Sequence, residues 1–178
     1  MGPGDLRSFI RDVPDFPKPG IVFKDITPLL ADAEALEAAI DALARAAGPL
    51  APDLVIGAEA RGFLLGPALA ARLGAGFVPA RKPNRLPAES ISATFELEYA
   101  SATLALHTDP PVAGRRVLVH DDLLATGGTA GALCELVGRL DGRVVGASFV
   151  IELAFLDGRA RLAPVPVEAL IAYGGEAA

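Results

Sequence analysis

The chain is predicted to adopt an α/β fold with a central, mainly parallel sheet flanked by helices, and three observations predict it. Short continuous apolar runs recur at residues 54–57, 76–80, 117–120 and 144–151, the pattern of strands buried on both faces. Segments of helical period separate these runs, as in successive strand–helix–strand units. The 19 glycines and 15 prolines are spread as loop punctuation, with no internal repeat or linker, so one domain over residues 1–178 is expected.

The elements follow in order. Residues 1–30 form a proline-stiffened arm. Asp32 is placed to cap a helix through Ala47, with Leu36, Ile40 and Leu43 on one face and Gly48 as its stop. The strand 54–57 leads through a glycine-containing turn into a helix over 63–73, stopped by Gly74, and then the strand 76–80. Residues 94–107 break the rhythm: Phe95, Leu97 and Tyr99 alternate on one side, and Leu104 and Leu106 are spaced by two afterwards. That period predicts a β-hairpin inserted between two units of the sheet, within a flexible lid over about residues 84–107. The strand 117–120, a helix over 129–140 and the strand 144–151 complete the pattern.

Composition narrows the class. A chain of 178 residues that is 52% apolar and 21% charged can bury a substantial core. The net charge of -6 repels polyanions, so nucleic acid is not expected as a partner, although a local cluster of Arg and Lys can still bind a small phosphate. Cys134 is the single cysteine and allows no intrachain disulfide. The first residues show no basic region leading into an apolar stretch, and Leu6 stands where a myristoylation motif requires Ser or Thr. No apolar run approaches membrane-spanning length. A cytoplasmic protein without membrane partners is expected.

The strongest local feature is Val117-Leu118-Val119-His120-Asp121-Asp122-Leu123-Leu124-Ala125-Thr126-Gly127-Gly128-Thr129. An apolar strand ends in two carboxylates, and a small-residue loop then opens a helix. Open α/β sheets hold ligands outside the carboxyl ends of their strands, and a helix N-terminus offers unpaired N–H groups to a phosphate. Gly127 and Gly128 permit close backbone approach, while Thr126 and Thr129 add hydroxyl donors. The loop lacks the lysine of a P-loop. Asp121 and Asp122 can accept hydrogen bonds from vicinal hydroxyls, so a ribose carrying a 5′-phosphate satisfies both halves of the loop. An ordinary strand-to-helix turn with exposed carboxylates is the alternative that these residues leave open.

As an ordered string, this segment resembles the phosphoribosyl diphosphate loop of the type I phosphoribosyltransferases. The resemblance implies their fold, with Asp121 and Asp122 on the ribose hydroxyls and Ala125, Thr126, Gly127, Gly128 and Thr129 around the 5′-phosphate. His120 stands where such proteins usually carry an aliphatic residue and reads as a strand-end structural side chain.

The N-terminal string Pro14-Asp15-Phe16-Pro17-Lys18-Pro19-Gly20-Ile21-Val22-Phe23-Lys24-Asp25-Ile26-Thr27-Pro28-Leu29 is suited to gripping a flat apolar ring, or to packing as a rigid arm on the core. It is similar to the base-binding segment of the adenine phosphoribosyltransferases. The similarity continues in Gly57-Ala58-Glu59-Ala60-Arg61-Gly62-Phe63, Arg81-Lys82-Pro83, Leu97-Glu98-Tyr99 and Leu162-Ala163-Pro164-Val165-Pro166. It implies that Phe23 stacks on adenine, the backbone of Val22 and Lys24 reads its polar edge, and Leu153 packs on the ring. It implies too that Glu59, Ala60 and Arg61 receive pyrophosphate, and that the basic loop with Arg81, Lys82 and Arg85 reaches the pyrophosphate of a neighbouring subunit in a homodimer. Two departures stand out: Asn84-Arg85 replaces a more usual Gly-Lys, and Ala100 follows Tyr99 where Gly is usual.

The implied reaction displaces pyrophosphate from C1 of phosphoribosyl diphosphate by N9 of adenine, giving AMP. Mg²⁺ is expected as a substrate-bound ion on the diphosphate, assisted by Arg61, Arg81 and Lys82, with no protein side chain assigned as a metal ligand. Glu98, on the hairpin, is implied as the catalytic residue that handles a proton at the purine. The alternatives are transfer to hypoxanthine, guanine or xanthine, a non-catalytic phosphoribosyl diphosphate sensor, and an inactive scaffold. A sensor of that kind usually adds a DNA-binding domain, for which this acidic chain shows no basic helix.

Overall fold

The computed structural model of the chain describes residues 3–96, 101–109 and 112–175. Helix α1 (Pro3–Arg7) precedes an antiparallel ribbon of β1 (Arg11–Pro14) and β2 (Val22–Asp25), in which Val13 pairs with Phe23. The N-terminal arm is thus a two-stranded ribbon, a pairing that its prolines and glycine conceal from a period-based reading. Helices α2 (Thr27–Ala31) and α3 (Ala33–Ala47) follow.

Asp32 caps α3 as expected, its Oδ1 accepting from the Ala35 amide at 2.9 Å. The fully buried stripe is Ala35, Ala39, Leu43 and Ala47, with Leu36 and Ile40 only half-buried beside it. Four-residue spacing of mostly small side chains lets the helix approach its neighbours closely. The α-helix ends at Ala47 with Gly48 as its C-cap, as expected; Gly48 keeps a helical φ of -52°, Pro49 continues a 3₁₀ turn through Leu50, and Ala51 at φ 42° turns the chain away.

Strand β3 (Leu54–Ala58), helix α4 (Gly62–Leu73) and strand β4 (Gly76–Ala80) appear almost as predicted, with Gly74 at φ 67° ending the helix. Strands β5 (Ser90–Glu96) and β6 (Ser101–His107) form the inserted hairpin. It begins four residues before the expected start, because Ser90, Ser92 and Ala93 pair in the ladder without giving an apolar signal. Strand β7 (Arg116–Leu124), helix α5 (Gly128–Arg139), strand β8 (Arg143–Leu153), helix α6 (Gly158–Leu162) and strand β9 (Val167–Tyr173) complete the chain.

One expectation is corrected here. The strand predicted to end at His120 runs on to Leu124, with Asp121 paired to Phe149 and Leu123 to Ile151. The carboxylates therefore belong to the sheet, because polar contacts at its carboxyl edge allow the ladder to continue through them. His120 accordingly sits within the strand.

The five-stranded sheet has the order β4-β3-β7-β8-β9, and every pairing in it is parallel. The chain leaves β3 for β4 on one side and returns as β7 on the other, so the strand order reverses between β3 and β7. Ligands bind at such a switch point. Leu43, Val55, Leu65, Leu69, Leu118 and Ile171 build the core on one face of the sheet; Val117, Val119, Leu133, Leu136 and Phe149 build it on the other. Gly57 and Gly62 are in near-contact across the β3–α4 turn, since a Cβ on Gly57 would stand 2.6 Å from the Gly62 carbonyl oxygen.

The hairpin strands join this second core through Ala93, Phe95, Leu104 and Leu106. Arg81 and Ala105 exchange backbone hydrogen bonds at 2.9 and 2.8 Å, and Arg139 donates to the Ser92 carbonyl at 2.6 Å. The base of the expected lid is therefore fastened to the body. Leu97, Glu98, Tyr99 and Ala100 lie outside the described residues.

His120 is fully buried, and neither ring nitrogen has a hydrogen-bond partner among the described residues. Burial lowers its pKa from 6.5 to about 4. The native state then binds fewer protons than the unfolded chain over that window, so this stability is present above the ordinary pKa and lost as pH falls toward 4. His120→Leu is expected to reduce the acid sensitivity by roughly 3 kcal/mol, read from urea unfolding at matched pH values. An unchanged pH dependence would remove His120 from that account.

Candidate active site

Two carboxyl-edge segments meet at the switch point: residues 58–62 after β3, and residues 121–129 at the end of β7 and the start of α5. The second lines a cleft of about 140 Å³ with Asp121, Ala125, Thr126, Gly127, Gly128 and Thr129, joined by Arg61, Leu123 and Phe149. Gly127 adopts φ 80°, open to glycine at little cost, and starts the helix, its carbonyl accepting from the Gly131 amide at 2.8 Å. The amides of the first helical turn are thereby left without intrahelical partners, in the arrangement that binds an anion.

Asp121 and Asp122 are placed differently. Asp121 lines the cleft, whereas Asp122 is 1% exposed and lies 3.4 Å from Arg61 Nη1 through its Oδ2. The Asp121 side chain accepts from the Asp122 amide at 3.0 Å. Burial, and then repulsion from Asp122, raises the Asp121 carboxyl above the ordinary range; burial likewise raises Asp122 against the opposing pull of Arg61. Asp122 Oδ1 has no hydrogen-bond partner among the described residues. A buried acid with an unpartnered oxygen, beside a second acid that lines the cleft, is matched to a ligand that brings hydroxyl groups.

Arg61 ties three segments together. Its guanidinium reaches Asp122, stands 5.5 Å from the centre of the Phe23 ring and remains half exposed toward the cleft. Phe23 meets Phe16 edge to face, with ring centres 5.2 Å apart. The Lys24 side chain turns elsewhere, to Asp12 at 2.7 Å and over the Tyr173 ring at 4.2 Å. Arg7 lies over the same ring at 4.4 Å. Leu153 and Tyr173 are register partners at the ends of β8 and β9. Tyr173 thus holds the Phe23 ribbon beside Leu153 through Lys24, and helix α1 through Arg7, each contact worth roughly 0.5–1 kcal/mol. Tyr173→Ala is expected to raise the KM for a base held by Phe23 about threefold; an unaltered KM would separate the ribbon's position from this contact.

Glu59 faces the basic loop. Its Oε2 accepts from the Lys82 amide at 3.0 Å and from Arg81 Nε at 3.3 Å, contacts that hold its carboxyl below the ordinary range, the amide most strongly. Arg81 also donates to the Arg85 carbonyl at 2.9 Å. Glu59 and Arg81 are therefore engaged with one another, while Lys82 and Arg85 point their charge into solvent. The Glu59–Ala60 peptide is cis.

The structure thus brings Asp121, Asp122, the 125–129 loop, Arg61 and Phe23 to one place. Leu153 and the Glu59–Arg81–Lys82 cluster flank it, and Glu98 lies outside the described residues. Sequence reasoning missed Phe149 as a cleft wall and Gly158 behind the loop. Both follow from which strands are neighbours, which no local pattern encodes.

Comparison with known proteins agrees with this geometry. The phosphoribosyl transferase domain family matches residues 25–165. The adenine phosphoribosyltransferase of Desulfitobacterium hafniense is 53% identical, the match covering 95% of this chain and 98% of the relative, and that of Rubrobacter xylanophilus is 56% identical over 97% and 94%. The crystal structure of adenine phosphoribosyltransferase from Thermoanaerobacter pseudethanolicus superposes with a TM-score of 0.93 at 50% identity, covering 96% of this chain and 99% of that one. The enzyme from Saccharomyces cerevisiae, crystallised with an imino-altritol bisphosphate and adenine, superposes with a TM-score of 0.88 at 40% identity over 94% and 97%. The chain belongs to the phosphoribosyl transferase domain family, and within it to the adenine phosphoribosyltransferases.

Proposed function

We propose that the chain transfers the 5-phosphoribosyl group of phosphoribosyl diphosphate to N9 of adenine, releasing pyrophosphate and AMP. The observation that carries the reading is the junction at Arg61, where one guanidinium touches the buried Asp122 and the Phe23 ring and lines the phosphate cleft. A donor sugar in the cleft and a base on Phe23 would then meet beside the cation suited to the leaving diphosphate.

The amides of residues 127–129 bind the 5′-phosphate, and Asp121 and Asp122 orient the ribose hydroxyls. Such transfers build positive charge on the sugar ring, so the departing diphosphate must be neutralised and water kept out. Arg61 and Lys82 supply positive charge, while Glu59 holds Lys82 in place through its amide. The Phe23 ribbon presents the base, with the backbone of Val22 and Lys24 on its polar edge and Leu153 on its face. Glu98 handles the purine proton; Glu98→Gln is expected to lower turnover about a hundredfold with little change in KM. Equal turnover in that variant would remove Glu98 from the mechanism.

Mg²⁺ suits this donor set as an ion carried on the diphosphate. Among the described residues no group of three or more acidic, His or Cys side chains is arranged to hold a metal. When bound on the diphosphate, with Arg61, Arg81 and Lys82 beside it, the ion would supply charge neutralisation on the leaving group.

The reading extends over one domain, residues 1–178, with a base-binding arm at about 1–30 and a hairpin lid at about 84–107. Exposed Lys82 and Arg85 support a homodimer in which this loop reaches the neighbouring subunit's pyrophosphate. No helix among the described residues is long and apolar enough to cross a membrane, which fits a cytoplasmic enzyme. Adenine, hypoxanthine, guanine and xanthine, each mixed with phosphoribosyl diphosphate and Mg²⁺, test the function directly. AMP from adenine alone is expected; a preference for another base, or no product at all, would overturn it.

A further inference from the structure

Glu152 lies near the end of β8 at 5% exposure, in register with Leu124, the residue just before the phosphate loop. Arg159 of α6 closes on it fork to fork: Nε donates to Oε1 at 2.7 Å and Nη2 to Oε2 at 2.8 Å. Its third nitrogen, Nη1, donates to the Val167 carbonyl at 2.5 Å. A bidentate pair of this kind sets an orientation as well as a distance.

The neighbour of Arg159 gives that orientation a use. A Cβ on Gly158 would stand 2.2 Å from the Ala125 carbonyl oxygen, and one on Gly127 would stand 2.8 Å from the Gly158 carbonyl oxygen. The backbone of the phosphate loop therefore rests directly on the backbone of residue 158, with no side chain between them. Arg159 is tied to β8 and β9 at once, so the first turn of α6 cannot slide without breaking the fork.

We infer that Glu152 and Arg159 are positioning residues for donor binding: they hold Gly158 against residues 125–127, so that the loop amides stay aimed at the 5′-phosphate. Neither residue touches a substrate. The inference rests on reading residues 125–129 as a phosphate cradle, and the test separates the two.

Ribose 5-phosphate is titrated calorimetrically into the full chain and into the Arg159→Lys, Glu152→Gln and Gly158→Ala variants, with folding monitored by far-UV circular dichroism. Arg159→Lys and Glu152→Gln are expected to weaken ribose 5-phosphate binding about tenfold while the KM for adenine changes less than about twofold. Gly158→Ala, which leaves the fork intact but forces the loop away, is expected to weaken it at least as much. A pair that only stabilises the fold would lower the melting temperature and leave these affinities alone, and that result overturns the inference while the cradle stands. No ribose 5-phosphate binding by the unaltered chain would remove cradle and inference together. If the fork variants do not fold, Gly158→Ala decides: unchanged affinity overturns the inference, and weakened affinity with an unchanged adenine KM supports it.

Discussion

The double variant Asp121→Ala, Asp122→Ala is expected to show no saturable use of phosphoribosyl diphosphate. Each ribose hydroxyl that donates to an ionised carboxylate contributes roughly 1.5–3 kcal/mol, so losing both acids weakens donor binding by about two to four orders of magnitude. Asp122 also partners Arg61, so its loss releases the cation that lines the cleft. Normal saturation kinetics in the double variant would overturn the ribose assignment. The raised carboxyls add a pH signature. Burial and the neighbouring Asp122 raise the Asp121 carboxyl in the empty site, whereas hydroxyl donors favour the ionised form. Donor binding should therefore release protons, measurable by calorimetry in buffers of different ionisation enthalpy. The native state of the empty protein holds more protons here than the unfolded chain does. Stability from this site is consequently greatest below the ordinary pKa of 3.8 and declines as pH rises above it. Asp121→Asn should flatten that decline.

Arg61→Met is expected to lower kcat/KM about a thousandfold, the scale of removing a group aimed at charge that develops in the transition state. Three contacts go at once: the approach to Asp122, the cation over Phe23, and the positive wall of the cleft. Arg61→Lys retains the charge but loses the planar face above Phe23, and an intermediate activity is expected. Stability should fall only modestly, because Arg61 is 46% exposed and Asp122 can take up a proton instead. A kcat/KM within about threefold of the unaltered chain would place Arg61 outside the diphosphate site.

Much of the donor loop was legible because its information is local. Two carboxylates, two glycines and a helix start lie within nine residues, and the structure placed Gly127 at the positive φ expected of such a turn. Strands β3 and β4 were legible for the same reason, as continuous apolar runs bounded by glycine turns. The N-terminal ribbon was less so. Phe23 was singled out by resemblance, but its pairing opposite Val13 is a contact between short, proline-rich strands with no period to announce them.

The α/β class, helices α3, α4 and α5 and strands β3, β4, β7 and β8 were readable in the sequence, because each depends on neighbours within a few positions, and the expected role of the loop came from its resemblance. The tertiary arrangement was needed to show that β7 continues through Asp121 and Asp122, that the two acids have different surroundings, and that Arg61 joins Asp122 to Phe23. It alone set the Glu59–Arg81 and Glu152–Arg159 pairs, and the contact of Gly158 with the loop. The physical reason is that burial, charge pairing and backbone contact depend on which elements the strand order makes adjacent. Here the sheet reverses between β3 and β7, bringing together residues far apart along the chain.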